Sequence, residues 1–315
     1  MRKLIKKHLV KQFYFFKWVM RYFKSISFSK PEQKQIIVCF DGVFPHGGLV
    51  DRLKGIISFY QVAKTLDYDF KILFNNPFAL DQFLEPNQVN WLIKPEAIRW
   101  HPFKDQFIHV VNDFNVNPIE LIKQKKANRY FVYANIDYGR TLFPHLNEDA
   151  LADKWNTDFK LLFKISDLLN QRLQDIDTSN FIAFHTRFTS IMGDFKDTTS
   201  LVFSEGEQKQ LKHKLLENIK TLRANKTAYI FSDSINFINY VTGNSSIKAV
   251  EGLPFHMDNF EKNSQIEGHL KTLIDFFMIS KSSQVYFLKT EVMYNSSFSK
   301  YAAIVGETPF TYVDL

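Results

Sequence analysis

From Gln35 onward, short apolar runs rich in β-branched and aromatic residues alternate with longer stretches of helical period. This alternation restricts the chain to parallel sheets covered by helices. "IIVCF" (36–40) reads as a strand, 48–66 as a helix and "FKILF" (70–74) as the next strand; "NWLI" (90–93), "FIHVV" (107–111) and "YFVYA" (130–134) continue the series. The stretch from Asp149 to Asp175 carries Leu151, Trp155, Phe159, Leu162, Leu169 and Leu173 at near-heptad spacing and predicts one long bridging helix. Beyond it the alternation restarts with "FIAFH" (181–185), a helix over 207–222, "TAYIF" (227–231), "IKAVE" (247–251), a helix over 268–280, "QVYFL" (284–288) and "FTYV" (310–313).

At 315 residues, 45% of them hydrophobic, the chain has room for two compact domains of about 150 residues each. The expected architecture is α/β, two Rossmann-like domains facing a cleft, with an amphipathic helix ahead of them. The expected boundaries are 1–34 for the basic helix and its linker, 35–178 for the first domain with the bridging helix, and 179–315 for the second. The single cysteine, Cys39, lies in an apolar strand, so no internal disulfide forms and nothing points to an oxidising compartment. No apolar run reaches the roughly 20 residues needed to span a bilayer, and a cytoplasmic protein is expected.

The net charge of +7 is unevenly distributed. Residues 1–30 hold nine Lys or Arg and no acid, leaving 31 basic against 33 acidic residues in the near-neutral body, which argues against nucleic acid. Wound at about 100° per residue, the leader places Lys3, Lys6, Lys7, Lys17, Arg21 and Lys24 on one side. Leu4, Ile5, Leu9, Phe15, Phe16, Trp18, Val19 and Phe23 fall opposite. Such a helix suits an anionic membrane surface on the inner face, making the protein peripheral to the membrane; docking of the apolar face on the protein's own body is the alternative. The interrupting lysines and the lack of a small-residue cleavage site argue against a signal sequence.

Ligands of open parallel sheets bind beyond the carboxyl ends of the strands. His185 and Arg187 follow "FIAF", and Asp233 and Ser234 follow "TAYIF". Ser296, Ser297 and Ser299 stand where a helix opens after "QVYFL", a position that either attracts an anion through unpaired backbone N–H groups or is simply capped by serine. Arg187 either grips a diphosphate through its planar fork or pairs with a structural carboxylate. Asp233 either accepts from the N1 and N2 edge of guanine or caps the following helix. In the first half, Gly47 and Gly48 let backbone approach a ligand, with His46, Asp51 and Arg52 expected to face the cleft. The "DYD" at 67–69 precedes its strand and reads as a turn, not a metal motif. There is no zinc spacing, no G-x-G-x-x-G and no P-loop, so no metal or bound cofactor is expected.

"GGLVDRLKGIISFYQVAKTL", "FHTRF", "YIFSDS" and "KTLIDFFMISKSSQVYFLKTEVMYNSSFSKYAAIVG" occur in an order that resembles the fucosyltransferase superfamily of GT-B fold. That superfamily includes the alpha-1,2-, the nodulation-factor alpha-1,6- and the protein O-fucosyltransferases. The resemblance spans roughly residues 36–310. It implies that Arg187, beside His185, holds the β-phosphate of a GDP-fucose donor, that Asp233 reads guanine, and that Ser297, Phe298 and Ser299 cradle the pyrophosphate. The first motif departs from the alpha-1,2 pattern at Val50, Asp51 and Arg52, so linkage does not carry over.

The implied chemistry is an inverting, metal-independent transfer of L-fucose to a glycan acceptor, with Arg187 and the Ser297 helix start stabilising the leaving diphosphate. A carboxylate or imidazole must take the acceptor proton. Asp194 is the first candidate, unless it is a loop turn residue; Asp51 and His46 are the others. A GT-B enzyme with another nucleotide sugar, or a non-catalytic membrane-surface adaptor, are the rival readings.

Overall fold

The computed structural model describes residues 2–29, 33–177, 179–195, 200–253, 255, 257–258 and 266–315. The side chains of 2–9 and 11, on which Lys3, Leu4, Ile5, Lys6, Lys7 and Leu9 of the expected amphipathic pattern fall, lie outside the described residues, as do 30–32 of the expected linker. The chain divides into two compact units, Met1–Ile165 and Ser166–Leu315.

In the first unit, α1 (Arg2–Tyr22) precedes β1 (Gln35–Phe40), α2 (Leu49–Leu66), β2 (Asp69–Phe74), β3 (Leu84–Pro86) and β4 (Asp105–Val110). Then come α3 (Pro118–Lys125), β5 (Arg129–Ala134), α4 (Gly139–Leu142), α5 (Glu148–Leu162) and β6 (Phe163–Ile165). The four long strands form an all-parallel sheet in the order β2-β1-β5-β4. β1 is central, and its apolar run is buried on both faces, as a strand covered by helices on either side requires. Gly55 lets α2 lie close against the sheet: a Cβ there would sit 2.1 Å from the Ala134 carbonyl oxygen. Asp67 ends α2 in the left-handed conformation, so the "DYD" segment is the turn before β2.

The second unit runs α6 (Asp167–Gln174), β7 (Phe181–Thr186), α7 (Glu205–Arg223), β8 (Thr227–Ser232), α8 (Ile235–Gly243) and β9 (Lys248–Ala249). It ends with α9 (Ile266–Ser280), β10 (Gln284–Lys289), α10 (Phe298–Gly306) and β11 (Phe310–Asp314). Its sheet is again all parallel, in the order β11-β10-β7-β8-β9, and every residue of β7 is buried. Ser204 and Glu207 form a capping box that starts α7.

Three expectations are corrected. The stretch 149–175 is not one helix: α5 ends at Leu162, β6 pairs antiparallel with β3, and Ser166 caps a new helix, α6. "NWLI" contributes only an isolated bridge, Ile72 to Leu92, and "IKAVE" shrinks to the two residues of β9. The apolar side expected of the leader is divided: Phe15, Phe16 and Phe23 stay exposed, whereas Trp18 turns inward. Trp18 and Tyr22 are buried, and Trp18 packs on Trp100 at 5.0 Å and on Phe131 at 5.2 Å, while Tyr22's carbonyl accepts from Trp100 Nε1 at 2.8 Å. Docking on the body, the alternative raised for this helix, holds for this face of α1.

Candidate functional site

The carboxyl edge of the second sheet gathers most of the expected residues. Arg187 directly follows β7; its Nε lies 3.3 Å from Asp233 Oδ2, and its guanidinium sits over the Phe195 ring at 4.8 Å. The arginine side chain keeps 20% of its surface exposed, against 3% for its carboxylate partner. The Arg187 carbonyl accepts from Tyr294 N at 3.2 Å, which ties the segment leading into α10 to the end of β7.

Asp233 is committed to the turn after β7. Its Oδ1 accepts from Phe188 N at 2.8 Å and its Oδ2 from Thr189 N at 2.7 Å. Thr189 has φ +58°, an uncommon conformation for a β-branched residue, and the carboxylate holds it there. Burial raises the Asp233 pKa, against the opposing pull of Arg187 and the backbone donors. The guanine edge expected to meet this carboxylate therefore has to compete with two backbone N–H groups and a guanidinium.

His185 is buried under the same edge. Its Nδ1 shares a 2.9 Å hydrogen bond with Ser299 Oγ, and its ring packs on Phe287 and Phe298. Burial first, and the Arg187 charge second, lower its pKa to about 3, so the imidazole is neutral at physiological pH. The bond joins the end of β7 to the first turn of α10, whose N-cap residue is Ser297. Ser299 is fully buried, so its hydroxyl orients the helix start and is not itself exposed to a ligand. The Arg187 guanidinium and the α10 N-terminus share this sheet edge, and each is of a kind that suits an anion.

Ser234 and Asp194 meet one position further on. Ser234 Oγ accepts from Phe237 N at 3.1 Å as the N-cap of α8 and donates to Asp194 Oδ2 at 2.9 Å; Asn236 N donates to the same oxygen at 2.7 Å. Asp194 thus supports the start of α8, while its Oδ1 is buried with no hydrogen-bond partner among the described residues.

The first sheet's carboxyl edge is built differently. His46 is buried; its Nε2 accepts from Gly42 N at 3.1 Å and lies 3.9 Å from Asp41 Oδ1. Burial, then the charges of Arg52 and His109, lower its pKa to about 2. Arg52 is wholly buried and donates to the carbonyls of Gly47 at 3.0 Å and Asn76 at 2.5 Å, between the rings of Phe40 and Phe74. The expectation that His46 and Arg52 face the cleft is corrected: both are interior, His46 against the Phe40 and Tyr133 rings and Arg52 against those of Phe40 and Phe74. Asp51 stays partly exposed beside Lys54 at 3.5 Å, and Gly47, at φ +81°, has a conformation that disfavours a side chain; a Cβ there would meet Asp51 Oδ2 at 2.8 Å. Gly48 opens α2 as its N-cap, with nothing within 4 Å of the Cβ a side chain would add.

Several residues escaped the sequence reading. Asp41, at the end of "IIVCFD", accepts from Tyr133 at 2.7 Å and from the Tyr22 hydroxyl of α1, and the Tyr22 pKa is raised, chiefly by burial and then by that carboxylate. Its place just after a central strand was the available signal. Lys271 and Asp275, four apart on α9, form a buried pair at 2.5 Å, and burial raises the Asp275 pKa. A cavity of 390 Å³ in the first unit is lined by Val10, Tyr14, Pro45, His109, Val111, Asn112 and Asp113, with the Tyr14 and His109 rings 4.5 Å apart. Among the described residues, no group of three or more His, Cys, Asp or Glu is placed to hold a metal ion, and no helix is long and apolar enough to cross a membrane.

Two α/β units, each built on an all-parallel main sheet, the second with an arginine and a helix start at its sheet's carboxyl edge, define a fucosyltransferase-like fold. The particular structure it is similar to is that of NodZ alpha-1,6-fucosyltransferase soaked with GDP-fucose: TM-score 0.55, 14% identity, over 87% of this chain and 93% of that one. The same enzyme co-crystallised with GDP matches at TM-score 0.52 and 15% identity, over 86% of this chain and 92% of that one. Identity this low makes the likeness one of fold. No family model and no curated protein matches the sequence.

Proposed function

We propose that the protein is a glycosyltransferase that transfers L-fucose from GDP-fucose to a glycan acceptor. The observation that carries this reading is the junction of Arg187, His185 and the α10 start on one sheet edge, joined by the 2.9 Å bond between His185 and Ser299. It is supported by a fold similar to that of an enzyme crystallised with GDP-fucose and with GDP. An acceptor hydroxyl oxygen attacks the fucose anomeric carbon, the bond from that carbon to the β-phosphate oxygen breaks, and GDP leaves with the electron pair, inverting the centre. Arg187 and the α10 N-terminus, fixed before the reaction, stabilise the charge that grows on the departing diphosphate without a metal ion. Asp233 acts as a positioning residue by holding Arg187 Nε and the turn beneath it. Asp194 is the proposed base for the acceptor proton.

In the first unit, the 390 Å³ cavity offers two aromatic rings beside Asn112 and Asp113, a mixture suited to a saccharide. We further place the protein peripherally on the cytoplasmic face of a membrane, on a bacterial surface-polysaccharide or lipopolysaccharide intermediate. The test is a thermal-shift comparison of GDP with UDP, followed by mass spectrometry of products from a panel of GDP-sugars with and without EDTA. Stabilisation by GDP alone and EDTA-resistant transfer of fucose support the reading. Preference for UDP, or a strict need for Mn²⁺, overturns it.

A further inference from the structure

The leader helix has two apolar faces, and the fold uses one. Taking Phe13 as the origin and about 100° per residue, Tyr14, Trp18 and Tyr22 share one side, and Trp18 and Tyr22 are buried there. Phe13, Phe16, Met20 and Phe23 fall within one narrow arc on the opposite side, and each is 62–63% exposed. Just past the helix, Ser27 N donates to the Trp100 carbonyl at 2.9 Å, and this pairing brings a second element alongside. Phe28 and Phe103 flank the His101 ring there and are 70% and 80% exposed.

Six large apolar side chains stay exposed on two adjoining elements, and sequence periodicity alone divides those of the helix wrongly, since it places Trp18 and Phe16 together. Exposed apolar patches of this kind mark interaction sites. Charge identifies the occupant. Lys17, Arg21 and Lys24 on the helix and Lys104 beside Phe103 are all exposed, and residues 1–30 contain nine cations and no acid. A second copy of the chain would bring the same cations against this face and be repelled. An anionic bilayer meets both requirements, accepting aromatic rings at the acyl boundary and cations at the headgroups.

The geometry points to a two-part bilayer-docking surface, made of the outward face of α1 and the Phe28/Phe103 corner, that seats the first unit on anionic lipid. It deepens the proposal of a membrane-peripheral enzyme and is independent of which donor the second unit binds.

The full chain is to be sedimented with vesicles of equal parts phosphatidylglycerol and phosphatidylcholine, and with phosphatidylcholine alone. Binding to the first, little to the second, and loss of binding as salt is raised are expected. Phe16→Ser and Phe103→Ser should each lower partitioning about tenfold, as the loss of one buried aromatic side chain requires, whereas Leu201→Ser, an exposed apolar residue of the second unit, should not change it. Because these side chains are exposed, melting temperatures should stay at the parent value. Equal binding to neutral vesicles, no binding at all, or indifference to Phe103→Ser overturns the proposal; concentration-dependent dimerisation abolished by Phe16→Ser would assign the face to a second copy instead. The GDP thermal shift, measured on the same variants, reports separately on the donor reading.

Discussion

Each sheet carries a buried histidine and an arginine at or beyond its carboxyl edge and makes opposite use of them. After β1 come buried His46 in the loop and Arg52 near the start of α2; at the end of β7 come buried His185 and Arg187. Both imidazoles are held neutral, at about 2 for His46 and about 3 for His185. The arginines separate the two cases. Arg52 has no exposed surface and donates to two backbone carbonyls between two phenylalanine rings, so it serves as a cross-link of the interior. Arg187 is bound at Nε by a carboxylate, lies over one ring and keeps 20% of its side chain exposed. A histidine and an arginine beyond a strand are therefore not a site in themselves; how far the guanidinium is exposed decides.

The sharpest way to break this comparison is to truncate each arginine. Arg187→Ala should lower the rate of fucose transfer about thousandfold, the loss expected when a preorganised partner of transition-state charge is removed, while the melting temperature changes little. An active Arg187→Ala would put both arginines in the structural class. Asp194→Asn sharpens the second edge further. Asparagine can still accept from Ser234 and Asn236 but cannot take a proton, so stability should be kept while turnover falls about a hundredfold. Parental turnover would leave Asp194 with its role at α8 alone.

Arg52→Ala should cost about 3 kcal/mol of stability, because it leaves two buried carbonyls and a cavity, with GDP binding unchanged in the molecules that remain folded. Chemical denaturation reads the first and titration the second. A further effect is on pH dependence. Both histidines have folded pKa values below the ordinary 6.5, so the unfolded chain binds more protons and stability falls as pH drops from about 6.5 toward 3. Each contributes at most a roughly tenfold change in the folding equilibrium per pH unit. Asp233 and Asp275, with raised pKa values, act in the opposite sense between the ordinary 3.8 and their raised folded pKa. Replacing His46 or His185 with Gln should flatten the acid limb; an unchanged limb would show that these imidazoles are not held neutral.

Much of the fold was legible because buried parallel strands leave uninterrupted apolar runs, as "IIVCF" and "FIAFH" do. The break in the 149–175 stretch was not, although Ser166 followed by Asp167 is a helix-start signal, because the heptad spacing of leucines runs on across it. Periodicity also failed to tell which apolar face of α1 docks, since large apolar residues lie on both sides of that helix and only the partner surface, with Trp100 and Phe131, chooses between them. At the site, the strand-end rule located His185, Arg187 and Asp233 correctly along the sheet. It had no means of seeing that Asp233 already serves two backbone N–H groups, because those belong to a turn whose path depends on Thr189 at positive φ.

The account rests on the Arg187 guanidinium meeting a nucleotide diphosphate at the carboxyl edge of β7. Isothermal titration of GDP into the parent protein and into Arg187→Ala tests it most directly. At least a tenfold weaker affinity in the variant, about the worth of one charge-assisted contact, is the expected result; equal affinity in the two proteins would contradict it.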